Sequence, residues 1–306
     1  MSSSGPPPAL PFSYQLIAGA IAGVSEISVL YPLDVVKTRF QQQTATSSLQ
    51  YKGVVDCFKR IVSEEGVARL YRGMLSPVIV EAPKRAMKFA SQQEFSKLAS
   101  HYTKGDPSAS KQLASVITGI CTGITEAMIV SSFELVKIRM QDRANVGLYT
   151  STMDCAKKIL AQEGPLAFFR GLESAVWRNG SWNGAYFGMI HGIRTHLPLI
   201  RTENQKTAET LRNFIAGTLG GILATTVNTP FDVVKTRVQS YIPSSGTVPV
   251  YRWALPGVVK IAREEGVRGL YRGYVPKVLR LGPGGGILLV VFDAVTSFLQ
   301  KNTRRL

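Results

Sequence analysis

Apolar stretches rich in small residues alternate with polar, Lys/Arg-bearing segments along this chain, and the alternation runs through three cycles. Long apolar runs extend from Phe12 to Gln41, from Lys111 to Gln141 and from Glu209 to Gln239. After a shorter mixed segment each is followed by a second run, Gly73 to Tyr102, Gly171 to Leu197 and Gly273 to Lys301. At about 1.5 Å of rise per residue, every run exceeds a hydrocarbon core of about 30 Å, so the pattern predicts six tilted membrane-crossing helices. The intervening pieces Val54–Glu64, Thr152–Gln162 and Pro256–Arg263 mix apolar and basic residues at helical spacing, which suits a membrane surface. An even number of crossings leaves both termini on one side.

The second runs are not oily throughout. Gly171 to Leu197 holds Glu173, Arg178, Asn183, His191 and Arg194, too polar for a simple hydropathy window. Such residues persist in spans only where they face a bundle interior or a water-filled cavity. The helices should therefore enclose a polar pathway.

A repeated signature closes each first run. It reads Pro32-Leu-Asp34-Val-Val-Lys37-Thr-Arg39-Phe-Gln41, Ser132-Phe-Glu134-Leu-Val-Lys137-Ile-Arg139-Met-Gln141 and Pro230-Phe-Asp232-Val-Val-Lys235-Thr-Arg237-Val-Gln239. Behind it recur Glu65-Gly-Val-Ala-Arg-Leu-Tyr-Arg-Gly73, Glu163-Gly-Pro-Leu-Ala-Phe-Phe-Arg-Gly171 and Glu265-Gly-Val-Arg-Gly-Leu-Tyr-Arg-Gly273. Two motifs in the same order three times mark a tandem triplicate. It divides into an N-terminal tail, 1–11, and repeats over 12–104, 105–204 and 205–306. Gly19-x-x-x-Gly23, Gly119-x-x-x-Gly123 and Gly217-x-x-x-Gly221 stand at equivalent places and read as packing seams.

On a helix the acid, Lys and Gln of each signature share one stripe, while Arg39, Arg139 and Arg237 point elsewhere. Charges at a membrane helix end need partners, since an unpaired buried ion costs several kcal/mol. Three copies around an axis let each acid meet the base of the next helix, closing a ring head-to-tail. Pro32 and Pro230 fit a kink that draws helix ends inward. Ser132 departs from proline, and a serine bonding back to the preceding turn bends a helix more mildly.

The net charge of +16 fits attraction to anionic lipid and anionic solutes. No nucleic-acid module accompanies it. Cys57, Cys121 and Cys155 are scattered and read as ordinary small residues, with no disulfide framework or metal site. The Ser/Pro-rich stretch Met1–Pro11 shows no cleavable presequence. No nucleophile elbow, HExxH or Walker loop is present, and Gly282-Pro-Gly-Gly-Gly286 lacks the Gly-Lys-Ser/Thr of a phosphate cradle. An enzyme and a cofactor are not expected.

A small solute lacks threefold symmetry, so its contacts belong where the repeats diverge. Counted from Gly73, Gly171 and Gly273, offset seven holds Val80, Arg178 and Arg280, and offset eleven Lys84, Trp182 and Gly284. Offset twelve holds Arg85, Asn183 and Gly285. Lys84, Arg85, Lys88, Arg178 and Arg280 form a set of cations without an equal set of acids, Glu81 being the nearest counter-charge. Unpaired intramembrane cations mark an anion pathway, and Arg suits a carboxylate through paired hydrogen bonds. Helix-end lysines such as Lys97 and Lys301 instead fit snorkelling to headgroups. Glu26 and Glu126, matched by Ala224 in the third repeat, read as counter-charges to Lys84 or Arg85, with proton coupling as the alternative. The Tyr71-Arg72-Gly73, Phe169-Arg170-Gly171 and Tyr271-Arg272-Gly273 turns leave free N–H groups at helix starts, which bind phosphate.

Together the two repeated motifs resemble those of the mitochondrial carrier family, over nearly the full length. Ala18-Gly-Ala-Ile-Ala-Gly-Val-Ser-Glu26, Glu81-Ala-Pro-Lys-Arg-Ala-Met-Lys88 and Arg280-Leu-Gly-Pro-Gly-Gly-Gly286 are similar to its 2-oxodicarboxylate-transporting members. The resemblance implies an all-α membrane protein of six transmembrane helices with pseudo-threefold symmetry and short matrix-side amphipathic helices. It implies a matrix gate of Asp34–Lys137, Glu134–Lys235 and Asp232–Lys37, braced by Gln41, Gln141 and Gln239. It implies a cytosolic gate of Glu94, Lys97, His191, Arg194, Asp293 and Thr296, in which only Arg194–Asp293 is a full ion pair. Arg178-Asn179 matches the Arg-plus-polar pair of keto-acid carriers, with Asn179 or Trp182 reading the oxo group or lining the chain. Arg72, Gly73, Arg170, Gly171, Arg272 and Gly273 would hold cardiolipin. The implied activity is exchange of 2-oxodicarboxylates such as 2-oxoadipate and 2-oxoglutarate, with citrate or a plain dicarboxylate as the alternative. A monomer in the mitochondrial inner membrane is expected, both termini facing the intermembrane space.

Overall fold

The computed structural model describes residues 12–44, 50–102, 109–197, 205–243 and 249–303. The tail 1–11 and the repeat boundaries near 104 and 204 lie outside them. Among the described residues all regular structure is helical. Repeat 1 contributes α1 (Phe12–Gln42), α2 (Val54–Arg60) and α3 (Leu75–Tyr102). Repeat 2 contributes α4 (Ala109–Gln141), α5 (Thr152–Glu163) and α6 (Leu172–His196). Repeat 3 contributes α7 (Gln205–Ser240), α8 (Ala254–Glu264), the short α9 (Gly266–Leu270) and α10 (Tyr274–Thr303). The hydropathy pattern thus located each long helix to within a few residues.

Neighbour contacts close the six long helices into a ring in the order α1, α3, α4, α6, α7, α10 and back to α1. The first helices α1, α4 and α7 also touch one another. By length and composition alone, Tyr14–Gln42, Ala114–Gln141 and Gly266–Gln300 suffice to cross a membrane. α1 and α7 run unbroken through Pro32 and Pro230. The back-bond expected of Ser132 is not made; its neighbour Ser131 accepts from Gln239 instead.

The glycine seams differ in what fills them. A side-chain carbon on Gly123 would lie 3.1 Å from the Asn179 carbonyl oxygen, so α4 and α6 meet backbone to backbone. On α1 the Gly19/Gly23 groove instead accommodates the Arg85 side chain, which reaches within 3.5 Å of the Gly19 site. Gly221 faces Leu281 at 3.6 Å. Repeat 2 is accordingly the most tightly closed of the three, and α1–α3 and α7–α10 meet less extensively.

Each short surface helix packs an apolar face onto the signature segment of its own repeat. Cys57 and Ile61 join Val35 and Val36; Cys155 and Ile159 join Leu135 and Val136; Ile261 joins Val233 and Val234. Burial pushes the Cys57 and Cys155 thiols up to about 12, so both are inert packing groups. The signature arginines fasten the same union. Arg39 pairs with Glu65 at 2.6 Å, Arg139 with Glu163, and Arg237 with Glu265 at 2.5 Å. The two repeated motifs are therefore two halves of one ion pair, a link that sequence spacing alone did not disclose.

Arg139 is fully enclosed, with 0% of its side chain exposed. Glu163→Gln would leave that guanidinium without its counter-charge, at a cost of about 3 kcal/mol or more. A marked drop in the thermal unfolding midpoint is expected, and an unchanged midpoint would show the pair to be dispensable.

Candidate functional site

The three signature stripes converge where α1, α4 and α7 meet. Lys37 Nζ lies 2.7 Å from Asp232 Oδ2, and Lys137 Nζ 2.7 Å from Asp34 Oδ2. Lys235 Nζ contacts Glu134 Oε2. All three are cross-helix pairs, and together they circle the axis. The glutamines span the same helix pairs one turn further on, but only Gln41 touches a carboxylate, donating to Asp232 Oδ2 at 2.9 Å. Gln41 Oε1 accepts from Thr236 and Gln141 Oε1 from Thr38, at 2.8 and 2.7 Å. Gln239 would face Ile138, the apolar counterpart of those threonines, and turns instead to Ser131 and the Arg170 carbonyl. Its Oε1 has no partner. The expected bracing is thus corrected: all three glutamines tie one first helix to the next, and Gln41 alone also holds a ring carboxylate.

Behind this ring the second helices supply a further cation to each acid. Arg280 donates to Asp34 Oδ1 at 2.6 Å and pairs with Glu26 at 2.9 Å. Arg178 pairs with Glu134 Oε1 at 3.1 Å and stands 3.8 Å from Asp232 Oδ1. Lys277 lies 3.1 Å from Asp232 Oδ2 and also contacts Asn228 Oδ1. Arg178 and Arg280 are therefore not cations without acids, as their positions in the sequence suggested. Burial in a confined space draws them onto the signature carboxylates.

These groups bound a cavity of about 430 Å³ whose walls include Arg178, Asn179, Trp182, Lys277, Arg280 and Lys88. An adjoining space of about 210 Å³ reaches Lys84. Lys84 and Arg85 both clamp Glu81, the latter at 2.7 Å. Arg85 lies across the α1 glycines and does not line either space, which removes it from the cavity cations. Lys88 makes no ion pair among the described residues. Glu26 pairs with Arg280 rather than Lys84 or Arg85, and Glu126 lines both spaces without an ion pair among the described residues. Asn179 donates to the Gly123 carbonyl at 3.2 Å, and Trp182 stacks on Tyr186 with ring centres 5.0 Å apart. Lys277 and Asn228 escaped the sequence reading. Offset four from the turn glycines holds Pro77, Ala175 and Lys277, the same break of symmetry that singled out Arg178 and Arg280.

At the opposite end no cross-helix ring exists among the described residues. Glu94 and Lys97 pair at 2.8 Å along their own helix, both mostly exposed, a contact of little energetic weight. Thr296 bonds its own helix carbonyls, and His191, Arg194 and Asp293 are exposed. The Arg194–Asp293 pair expected there is not formed, and both residues are exposed. The cavity is thus shut at the signature end.

The turn glycines sit at φ +83°, +78° and +81° for Gly73, Gly171 and Gly273, a region L-residues avoid. Each also presses on the next repeat: a side-chain carbon on Gly273 would fall 2.9 Å from the Lys37 carbonyl oxygen, and one on Gly171 2.9 Å from Gln239 Cγ. Arg170 and Arg272 turn back to Glu163 and Glu265 at 2.5 and 3.4 Å, while Arg72 makes no ion pair among the described residues. Gly273→Ala combines strain and collision beside Lys37. It should lower the unfolding midpoint by an amount equivalent to about 1–3 kcal/mol whether or not lipid is added. Wild-type stability in detergent alone would contradict this.

Comparison with known proteins agrees with the triplicate. The family model for mitochondrial carrier protein matches residues 8–103, 108–199 and 206–303. The chain is 50% identical to "Mitochondrial citrate transporter D" of Aspergillus niger, covering 98% of this chain and 99% of that protein. It is 47% identical to "Mitochondrial 2-oxodicarboxylate carrier 2" of Saccharomyces cerevisiae, covering 98% of each. Identity to the human "Mitochondrial 2-oxodicarboxylate carrier" is 38%, covering 95% of each.

Proposed function

The chain belongs to the mitochondrial carrier family, and we propose that within it this protein exchanges 2-oxodicarboxylates such as 2-oxoadipate and 2-oxoglutarate across the inner membrane by alternating access. The supporting observation is the cavity closed by a charged floor, in which Arg178, Arg280 and Lys277 approach from the second helices and Lys88 makes no ion pair among the described residues. A dicarboxylate entering it meets an excess of cations with which it can form charge-assisted hydrogen bonds. Asn179 and Trp182 line the same wall and are suited to the oxo group and the methylene chain.

In this reading the Asp34–Lys137, Glu134–Lys235 and Asp232–Lys37 ring is the matrix gate, and both termini face the intermembrane space. The state described is open to the cytosolic side. The cytosolic gate forms from Glu94, Lys97, His191, Arg194, Asp293 and Thr296 only when the second helices swing together. With one full ion pair available, it is the weaker lock, so the resting population favours the cytosol-open form. Breaking the stronger matrix gate then requires bound substrate, which couples movement to occupancy. Cardiolipin would dock at the N–H groups following Gly73, Gly171 and Gly273, and the transporter would act as a monomer.

Citrate is the second reading, favoured by the Aspergillus relative's name and by Lys88, which makes no ion pair among the described residues and could take a third carboxylate. Reconstituted uptake across 2-oxoadipate, 2-oxoglutarate, malate and citrate decides between them; fastest exchange of citrate would overturn the 2-oxodicarboxylate assignment. Arg178→Ala and Arg280→Ala should each reduce exchange at least about 10-fold while the protein stays folded, each losing a charged hydrogen bond to substrate. Near-normal exchange in either would confine that arginine to a structural role.

A cysteine substituted for Asn179 in a background lacking Cys121 should react with a membrane-impermeant thiol reagent from the cytosolic side alone in substrate-free protein. Equal reaction from both sides would contradict the proposed difference in gate strength.

A further inference from the structure

Asp232 differs from the other two ring acids in how its oxygens are used. Asp34 offers Oδ2 to Lys137 and Oδ1 to Arg280, and Glu134 offers Oε2 to Lys235 and Oε1 to Arg178. In both, the ring lysine and the cavity arginine occupy separate oxygens. At Asp232 three donors crowd Oδ2: Lys37 at 2.7 Å, Gln41 at 2.9 Å and Lys277 at 3.1 Å. Across the same carboxylate, Arg178 stands 3.8 Å from Oδ1.

Two consequences follow from this geometry. Lys277 from α10 and Arg178 from α6 face opposite oxygens of one carboxylate, so their charged heads are spaced to hold a carboxylate between them. Lys277 also shares its acceptor oxygen with the ring lysine, so its ammonium and Lys37 compete for the same lone pairs. Asn228 keeps the lysine in place. Its amide donates to the Arg178 carbonyl at 3.2 Å, which turns Oδ1 toward Lys277. Lys277 lines the larger cavity with Arg178 and Arg280, one helical turn from the latter. A compact ammonium on a flexible stem can move from one acceptor to another at less geometric cost than a guanidinium fork.

Resting on the dicarboxylate reading above, we propose that Lys277 is a specificity-determining residue of the exchange, forming with Arg178 a clamp for one substrate carboxylate. Asp232 fills that clamp when substrate is absent. An arriving carboxylate takes its place, and Lys277 and Arg178 turn from Asp232 to the ligand. Asp232 is then held by Lys37 and Gln41 alone, and the cavity wall is uncoupled from the signature ring at that corner. Lys277 has no counterpart in the other repeats, where Pro77 and Ala175 stand, and Arg178 is matched by Arg280 but not by Val80, so the clamp is asymmetric, as an asymmetric ligand requires.

The test compares Lys277→Met, Lys277→Gln and Lys277→Arg with wild type in proteoliposomes, measuring KM and maximal exchange rate, with thermal unfolding in parallel. The anion used is whichever of 2-oxoadipate, 2-oxoglutarate and citrate the wild type exchanges fastest. A different preferred anion would therefore overturn the substrate assignment without touching this inference. The Met and Gln variants are expected to raise KM about 10-fold or more, the loss of one charged hydrogen bond. They should unfold no earlier than wild type, because Asp232 retains Lys37 and Gln41, and Arg should recover most of the affinity. Substrate at a concentration near the wild-type KM should raise the unfolding midpoint of wild type and of Lys277→Arg, and much less that of Lys277→Gln. An unchanged KM in the Gln variant overturns the inference, as does a fall in unfolding midpoint with KM unaltered, which would mark Lys277 as structural. Failure of Lys277→Arg to recover affinity while Lys277→Gln matches it would equally overturn a charge-based clamp.

Discussion

Three carboxylates inside a ring of helices cannot remain ionised without cations, and cations in the same enclosure cannot remain unpaired. Asp34, Glu134 and Asp232 meet this requirement twice over, each taking a lysine from the neighbouring first helix and a cation from a second helix. Desolvation makes the lysine pairs of the ring costly to form and costlier to break singly. The first helices therefore converge, and the cavity acquires its floor. The arginine–glutamate pairs behind the ring hold the surface helices against the signature segments, and the turn glycines let each second helix start in contact with the next repeat.

Against this threefold frame the departures from symmetry acquire meaning. Ile138 stands where two threonines receive glutamines, leaving Gln239 with an unsatisfied oxygen and the ring with one weaker tie. Repeat 2 closes on itself through Gly123, whereas the groove of repeat 1 is filled by Arg85 held to Glu81. Arg85 thus serves packing, although its charge and position suggested the pathway. Arg178, Lys277 and Arg280 sit on α6 and α10, and Lys88 on α3 stands without a matching cluster, which makes the interior one-sided enough to orient a ligand without symmetry.

The two ends of the pathway stand in energetic contrast. One is held by interhelical pairs with carboxylates 3–21% exposed, the other by an exposed contact within a single helix. Buried pairs resist opening until something replaces their partners, while exposed pairs cost little to rearrange. A dianion that competes for the second-helix cations supplies such a replacement at the closed end. Substrate chemistry and gate mechanics are joined through the same oxygen atoms.

Most of the architecture was legible in the sequence because it rests on periodicity. Hydropathy marked six long helices, the i, i+3, i+7 stripe marked the converging face, and triplication marked the ring, each a local pattern that survives folding unchanged. The head-to-tail pairing followed because three identical stripes around an axis allow few other arrangements. What tertiary structure alone decided was which charge meets which when several compete within a few ångströms. Arg39, Arg139 and Arg237 find glutamates some 24–28 residues on, Arg280 bridges Glu26 and Asp34, and Lys277 reaches Asp232 on the neighbouring α7. The Arg194–Asp293 pair was equally permitted by sequence and is not made, both residues being exposed. Spacing fixes the face a side chain presents; the distance to its partner belongs to the packed ring.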